Sequence, residues 1–145
     1  MKKLLFTITC FVSVVVFGQV MAQACSCELP QANSTLKRQV RTAYKSSLAV
    51  FVGRVIDVVS LSETHSVIVK MRVDRSWKGN LQNEVTLATG QGGGDCGYKF
   101  EVGQSYLVYA YGPDVTRLST NICQRTAALT DAAADIKLLG NGKLL

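Results

Sequence analysis

The chain has 145 residues, 48% of them hydrophobic, and a formal net charge of +6. That is enough for one small domain with a buried core and too little for several. The positive balance is modest, and two of its lysines, Lys2 and Lys3, lie at the extreme start, so charge alone does not mark a polyanion-binding protein.

Residues 1–24 read as an export signal. Lys2 and Lys3 give a positive start, and Leu4 to Phe17 is an apolar run broken only by Thr7, Thr9 and Ser13. Ala22-Gln23-Ala24 is a small-x-small cleavage site. The run is too short for a comfortable membrane span, and nothing later is apolar enough to cross a bilayer. The expected mature domain is therefore 25–145, secreted or periplasmic, with Cys10 lost on cleavage. The competing process is acylation of Cys25 as a lipoprotein. That machinery prefers a large aliphatic residue three positions earlier, where this chain has Ala22.

Four cysteines remain: Cys25, Cys27, Cys96 and Cys123. An even count in an exported chain implies two disulfides, with three possible pairings. Zinc binding by the same four fails on spacing, because one CxC and two isolated cysteines do not make two CxxC knuckles.

Asn33 to Leu48 carries Leu36, Val40, Tyr44 and Leu48 at four-residue spacing, which predicts a helix capped by Asn33 or Ser34. Lys37, Arg38, Arg41 and Lys45 cluster beside that stripe and read as its solvated face. Ala49 to Val59 reads as a long strand, with Gly53 marking a bend or bulge. Val67, Val69, Met71 and Val73 alternate with Ile68, Lys70, Arg72 and Asp74 in a second strand ending at Trp77. Lys78-Gly79-Asn80 is a turn, and Val85 and Leu87 mark a third strand. GQGGGDCG, residues 90–97, is a loop; its glycines lack the spacing, lysine and following helix of a phosphate cradle. Ser105 to Tyr111 and Arg117 to Cys123 read as two more strands, either side of Gly112-Pro113-Asp114. Ala127 to Leu139 has Leu129, Ala133, Ile136 and Leu139 at helical spacing, with Gly140 to end it.

The expected fold is mainly β: a five-stranded antiparallel OB-type barrel with one helix before and one after the strands. A small sandwich fits the same pattern. No catalytic motif stands out. His65, the one histidine, sits in a polar stretch between two strands, and two disulfides would leave no free thiol. Binding or inhibition is expected rather than enzyme activity.

These residues together resemble the N-terminal netrin-like domain of the tissue inhibitors of metalloproteinases. The resemblance is carried by Cys25-Ser26-Cys27, Phe51-Val52-Gly53, Trp77-Lys78-Gly79, Cys96-Gly97-Tyr98, Gly103-x-x-Tyr106-Leu107-Val108 and Thr120-Asn121-Ile122-Cys123, in that family's order. It implies the disulfides Cys25–Cys96 and Cys27–Cys123. Each closes a loop of roughly 70 to 100 residues, worth about 4 kcal/mol in the chain-entropy model. It also implies a function: the α-amine and carbonyl of Cys25 chelate the catalytic zinc of a partner protease and displace its attacking water. The zinc belongs to the partner, so the chain needs no cofactor. Ser26 would enter the protease's specificity pocket. Cys27, Glu28 and Leu29 would follow the cleft, with Pro30 stiffening the exit. Gly93, Gly94 and Asp95 match the family's second contact segment.

The chain also departs from that family. The third disulfide of the animal domain and the animal C-terminal domain have no counterpart, the first interstrand loop is short, and Gly92-Gly93-Gly94 replaces a segment with side chains. The export signal is bacterial in style, so a periplasmic or secreted bacterial metalloprotease is as good a target as an animal one. The alternative reading is a non-inhibitory netrin-like module, lipid-anchored or free, that binds a protein or glycan through its basic helix. Single-stranded nucleic-acid binding is disfavoured by export.

Overall fold

A computed structural model describes residues 25–29 and 31–145. The export signal expected over 1–24, Cys10 and Pro30 lie outside the described residues. No helix among the described residues is long and apolar enough to cross a membrane.

The first helix among the described residues is α1 (Leu36–Ser46). It is shorter than its stripe predicts. Thr35, not Asn33 or Ser34, is the cap, its Oγ1 accepting the Arg38 N–H at 3.3 Å. Leu48 falls beyond the helix, and Val40 is its one buried residue. At the other end, Lys78 Nζ donates to the Tyr44 and Lys45 carbonyls at 2.9 and 3.0 Å. A cation thereby satisfies carbonyls that the last turn leaves open.

The strands are β1 (Ala49–Leu61), β2 (Ser66–Lys78), β3 (Glu84–Gly90), β4 (Ser105–Ala110), β5 (Leu118–Ser119), β6 (Ala127–Ala128) and, after helix α2 (Ala133–Leu139), β7 (Lys143–Leu144). They form one seven-stranded sheet in the order β5-β3-β2-β1-β4-β6, with β7 added to β2. The long β1–β2 hairpin shifts register three times, once between Val52 and Gly53. Gly53 is needed there, since a Cβ would lie 2.9 Å from the Arg72 carbonyl oxygen. The bend expected at this glycine is present.

Three expectations about the sheet are corrected. The strand expected over Arg117–Cys123 pairs only at Leu118–Ser119, and it runs parallel to β3. The ladder stops because Asn121 turns the chain: its side-chain oxygen accepts the Cys123 N–H at 3.0 Å. The tail helix covers only Ala133–Leu139, because Ala127 and Ala128 instead pair with Leu107 and Tyr106 on the edge of β4. Finally, the sheet is an open path rather than a closed five-stranded barrel. One antiparallel bridge, Tyr111 with Ser119, ties the end of β4 to β5.

The first half of β1, Ala49–Gly53, and nearly all of β4 are buried on both faces, which explains their near-continuous apolar sequence. Phe51, Val55, Met71, Leu87 and Val108 fill one side. Val50, Val52, Leu107 and Tyr109 face the two helices and meet Ala132, Ile136 and Leu139. Trp77 belongs to this second layer, and its indole N–H donates to the Gly140 carbonyl at 2.7 Å.

Candidate functional site

The structure bonds Cys25 to Cys96 and Cys27 to Cys123, each with a Cα–Cα separation of 5.1 Å. This is the pairing that the family resemblance implies. Cys96 and Cys123 belong to neighbouring segments of the folded body, joined by the Ile122 N–H donating to the Cys96 carbonyl at 2.9 Å. Residues 25–29 are fixed differently. Among the described residues their backbone makes no hydrogen bond, so the two disulfides are what hold them. Cys25 and Cys27 are half-buried, while Ser26, Glu28 and Leu29 are exposed, Leu29 by 85%. The result is a covalently pinned segment whose own N–H and C=O groups have no partner among the described residues.

The glycine-rich loop lies beside it. Gly92, Gly93 and Gly94 all take positive φ values of 90°, 76° and 141°. L-residues rarely adopt that region, so here the glycines are a backbone requirement. Gly93, Gly94 and Asp95 are all exposed. The Asp95 carboxylate, however, is engaged with its own loop. It accepts the N–H groups of Gln91 and Gly92 at 2.7 Å each and of Gly97 at 2.9 Å. Asp95 shapes its own loop and does not present a free carboxylate. Gly97 closes the base of the loop: a Cβ there would stand 2.2 Å from the Gly90 carbonyl oxygen.

The hydrogen bond from Gly97, then that from Gln91, holds the Asp95 carboxyl below its ordinary value of 3.8. A lowered folded pKa stabilises the loop at pH values above the unfolded pKa, and that contribution is lost as pH falls through the folded value. On acidification the Gly92 and Gly97 amide resonances are therefore expected to hold through the usual aspartate range and to move only below it. Asp95→Asn is expected to shift both already at neutral pH. Amide movement centred at or above 3.8 in the parent protein contradicts this.

Two neighbours were noted in the sequence but given no place at this site, Ile122 only within the Thr120–Cys123 motif and His65 only as a polar interstrand residue. Ile122 is 51% exposed beside Cys123. His65, exposed at the β1–β2 hairpin tip with φ of 49°, lines a hollow of about 330 Å³ with Thr89, Asp95, Tyr111 and Asn121. The adjacency of Asn121-Ile122 to Cys123 was the one available signal for Ile122. No local pattern could have brought the hairpin tip beside the loop.

The Cys25, Cys96 and Cys123 sulfurs lie within 4.8 Å of one another. All are in disulfides and offer no thiolate to a metal.

A buried polar cluster supports the Cys123 end. Arg125 Nε and Nη2 donate to the Asp135 carboxylate at 2.8 and 2.7 Å, and Nη1 donates to Gln39 Oε1 at 3.1 Å. Tyr109 Oη donates to Asp135 at 3.0 Å. The cluster joins both helices and β4 to a point two residues past Cys123. Burial, then the neighbouring Asp135, raises the Tyr109 pKa, so its hydroxyl stays protonated and donating.

The basic helix borders a separate groove of about 580 Å³, lined by Lys37, Arg41, Tyr44, Trp77, Leu139 and Lys143. Arg75 stacks over Trp77 at 5.9 Å. Among the described residues, Lys37, Arg41 and Lys143 form no ion pair.

Compared with known proteins, the chain matches no family model and no curated protein.

Proposed function

We propose that the chain is an exported inhibitor of zinc metalloproteases and that its working end is Cys25. The observation that carries this reading is the pinned segment. Cys25 and Cys27 are each bonded to the folded body, yet the backbone between and after them makes no hydrogen bond among the described residues. A frayed end needs no such fixing for stability alone. Fixing it lowers the ordering cost of presenting one backbone conformation to a partner.

Cleavage after Ala24 would free the α-amine of Cys25. Its pKa in a peptide is about 8, and a nearby zinc favours the deprotonated donor. The amine nitrogen and the Cys25 carbonyl oxygen then close a five-membered chelate at the protease's open coordination position. Ser26 is exposed and is, in this reading, the residue entering the specificity pocket. Its small side chain leaves room there, which favours breadth of target. Gly93 and Gly94 form a second contact edge, shaped by Asp95. In this reading the open sheet, with its Tyr111–Ser119 bridge and parallel β3–β5 pair, is a netrin-like OB variant.

The test is inhibition of a broad zinc-metalloprotease panel by the oxidised protein beginning at Cys25. Stoichiometric inhibition of any member is expected. Silence across the panel, with both disulfides verified, overturns the reading. A second reading rests on the groove at Lys37, Arg41 and Trp77: a netrin-like module that takes an anionic protein or glycan there without needing a free Cys25 amine.

A further inference from the structure

Two disulfides normally act as independent staples, but here the Cys96 and Cys123 sulfurs, which belong to different bonds, are 3.9 Å apart. That is contact distance for a thiolate and a disulfide sulfur. The ownership of the four cysteines gives the contact a direction. Cys25 and Cys27 both sit on the terminal segment, which has no backbone hydrogen bond of its own among the described residues. Cys96 and Cys123 both sit on the folded body, where the Ile122–Cys96 backbone hydrogen bond keeps them adjacent.

We propose that Cys96 and Cys123 form a thiol–disulfide exchange site, so that one two-electron reduction by a dithiol releases the whole terminal segment. Cys123 is exposed and is the accessible entry point. A dithiol thiolate attacks Cys123 Sγ, and Cys27 leaves as a thiolate. The second thiol of the reductant then displaces Cys123 and the reductant becomes a cyclic disulfide. The Cys123 thiolate attacks Cys96 Sγ, a Cys96–Cys123 bond forms, and Cys25 leaves as a thiolate. The balance is two protein disulfides and one dithiol going to one protein disulfide, two protein thiols and one oxidised dithiol. Entry at Cys96 gives the same product by the mirror sequence.

The product is favoured by chain connectivity. Each native bond closes a long loop, with sequence separations of 71 and 96. The new bond links residues only 27 apart in sequence that the fold already holds together. Exchange therefore removes both ties of the terminal segment at once and leaves the body stapled. This inference stands on the sulfur positions and the backbone hydrogen bonding around them and does not rest on protease inhibition.

The experiment is limited reduction of the oxidised wild-type protein with one equivalent of dithiothreitol at pH 8, followed by an N-ethylmaleimide quench and tryptic mass mapping. The expected once-reduced species carries maleimide on Cys25 and Cys27 together, with the peptides 79–99 and 118–125 joined through Cys96 and Cys123. Once-reduced molecules that instead carry maleimide on Cys25 and Cys96, or on Cys27 and Cys123, with the other native bond intact, overturn the proposal.

Discussion

One alanine added ahead of Cys25 is expected to abolish inhibition while leaving the fold unchanged. The added residue converts the α-amine into an amide, which is a poor zinc donor at neutral pH. It also places a side chain where the protease's metal must approach. The loss should be at least about a hundredfold, the scale of a central hot-spot residue. The fold should not register it. Both disulfides remain possible, and residues 25–29 contribute no backbone hydrogen bond whose loss could matter among the described residues. The check pairs an inhibition constant with a thermal unfolding curve, comparing the extended protein with one that begins at Cys25. Equal inhibition by the two would sink the chelation mechanism. It would leave the groove beside α1 as the surface to examine.

Asp135→Ala is expected to have the largest effect on stability among the polar positions. Asp135 is 7% exposed and accepts hydrogen bonds from Arg125 and Tyr109. Removing it strands a guanidinium and a buried phenol together. Breaking a buried pair on one side costs roughly 3–5 kcal/mol. Arg125 keeps 29% side-chain exposure, which places the expected loss at about 3 kcal/mol, the lower end of that range. Urea unfolding checks it. Asp135→Asn retains an acceptor for Tyr109 and should lose less. A loss under about 1 kcal/mol for the alanine variant would mean that water replaces the carboxylate without penalty.

The parts of this fold that were legible in sequence are those governed by local period or local sterics. The alternation of Val67 to Val73, the apolar run from Ala49 and the glycine at 53 each state a backbone requirement that tertiary context did not override. The tail is different. Ala127 to Leu139 has strong intrinsic helix propensity, yet its first residues complete the edge of β4 and Arg125 anchors the later turn through Asp135. That local preference yields there to an unpaired strand edge. β5, β6 and β7 are two residues each, too short for any periodic signal, and exist only because a longer strand offers them hydrogen bonds. At the site, the cysteines and the glycine run were visible from spacing. The inward turn of the Asp95 carboxylate was not, because an aspartate in a loop reads equally as a contact residue or as a turn former.

The chain's single tryptophan turns its position in the sheet into an optical label. The Trp77 indole is hydrogen-bonded to Gly140 at the end of α2 and packs beneath both helices. Its emission therefore reports whether the helical layer is seated on the sheet. The pinned segment at residues 25–29 is bonded to Cys96 and Cys123 and is not among the residues packed around Trp77. A fluorescence trace through reduction and then denaturation thus separates two events without any added dye. Release of residues 25–29 passes dark, and the change in emission marks the moment when the helices leave the sheet.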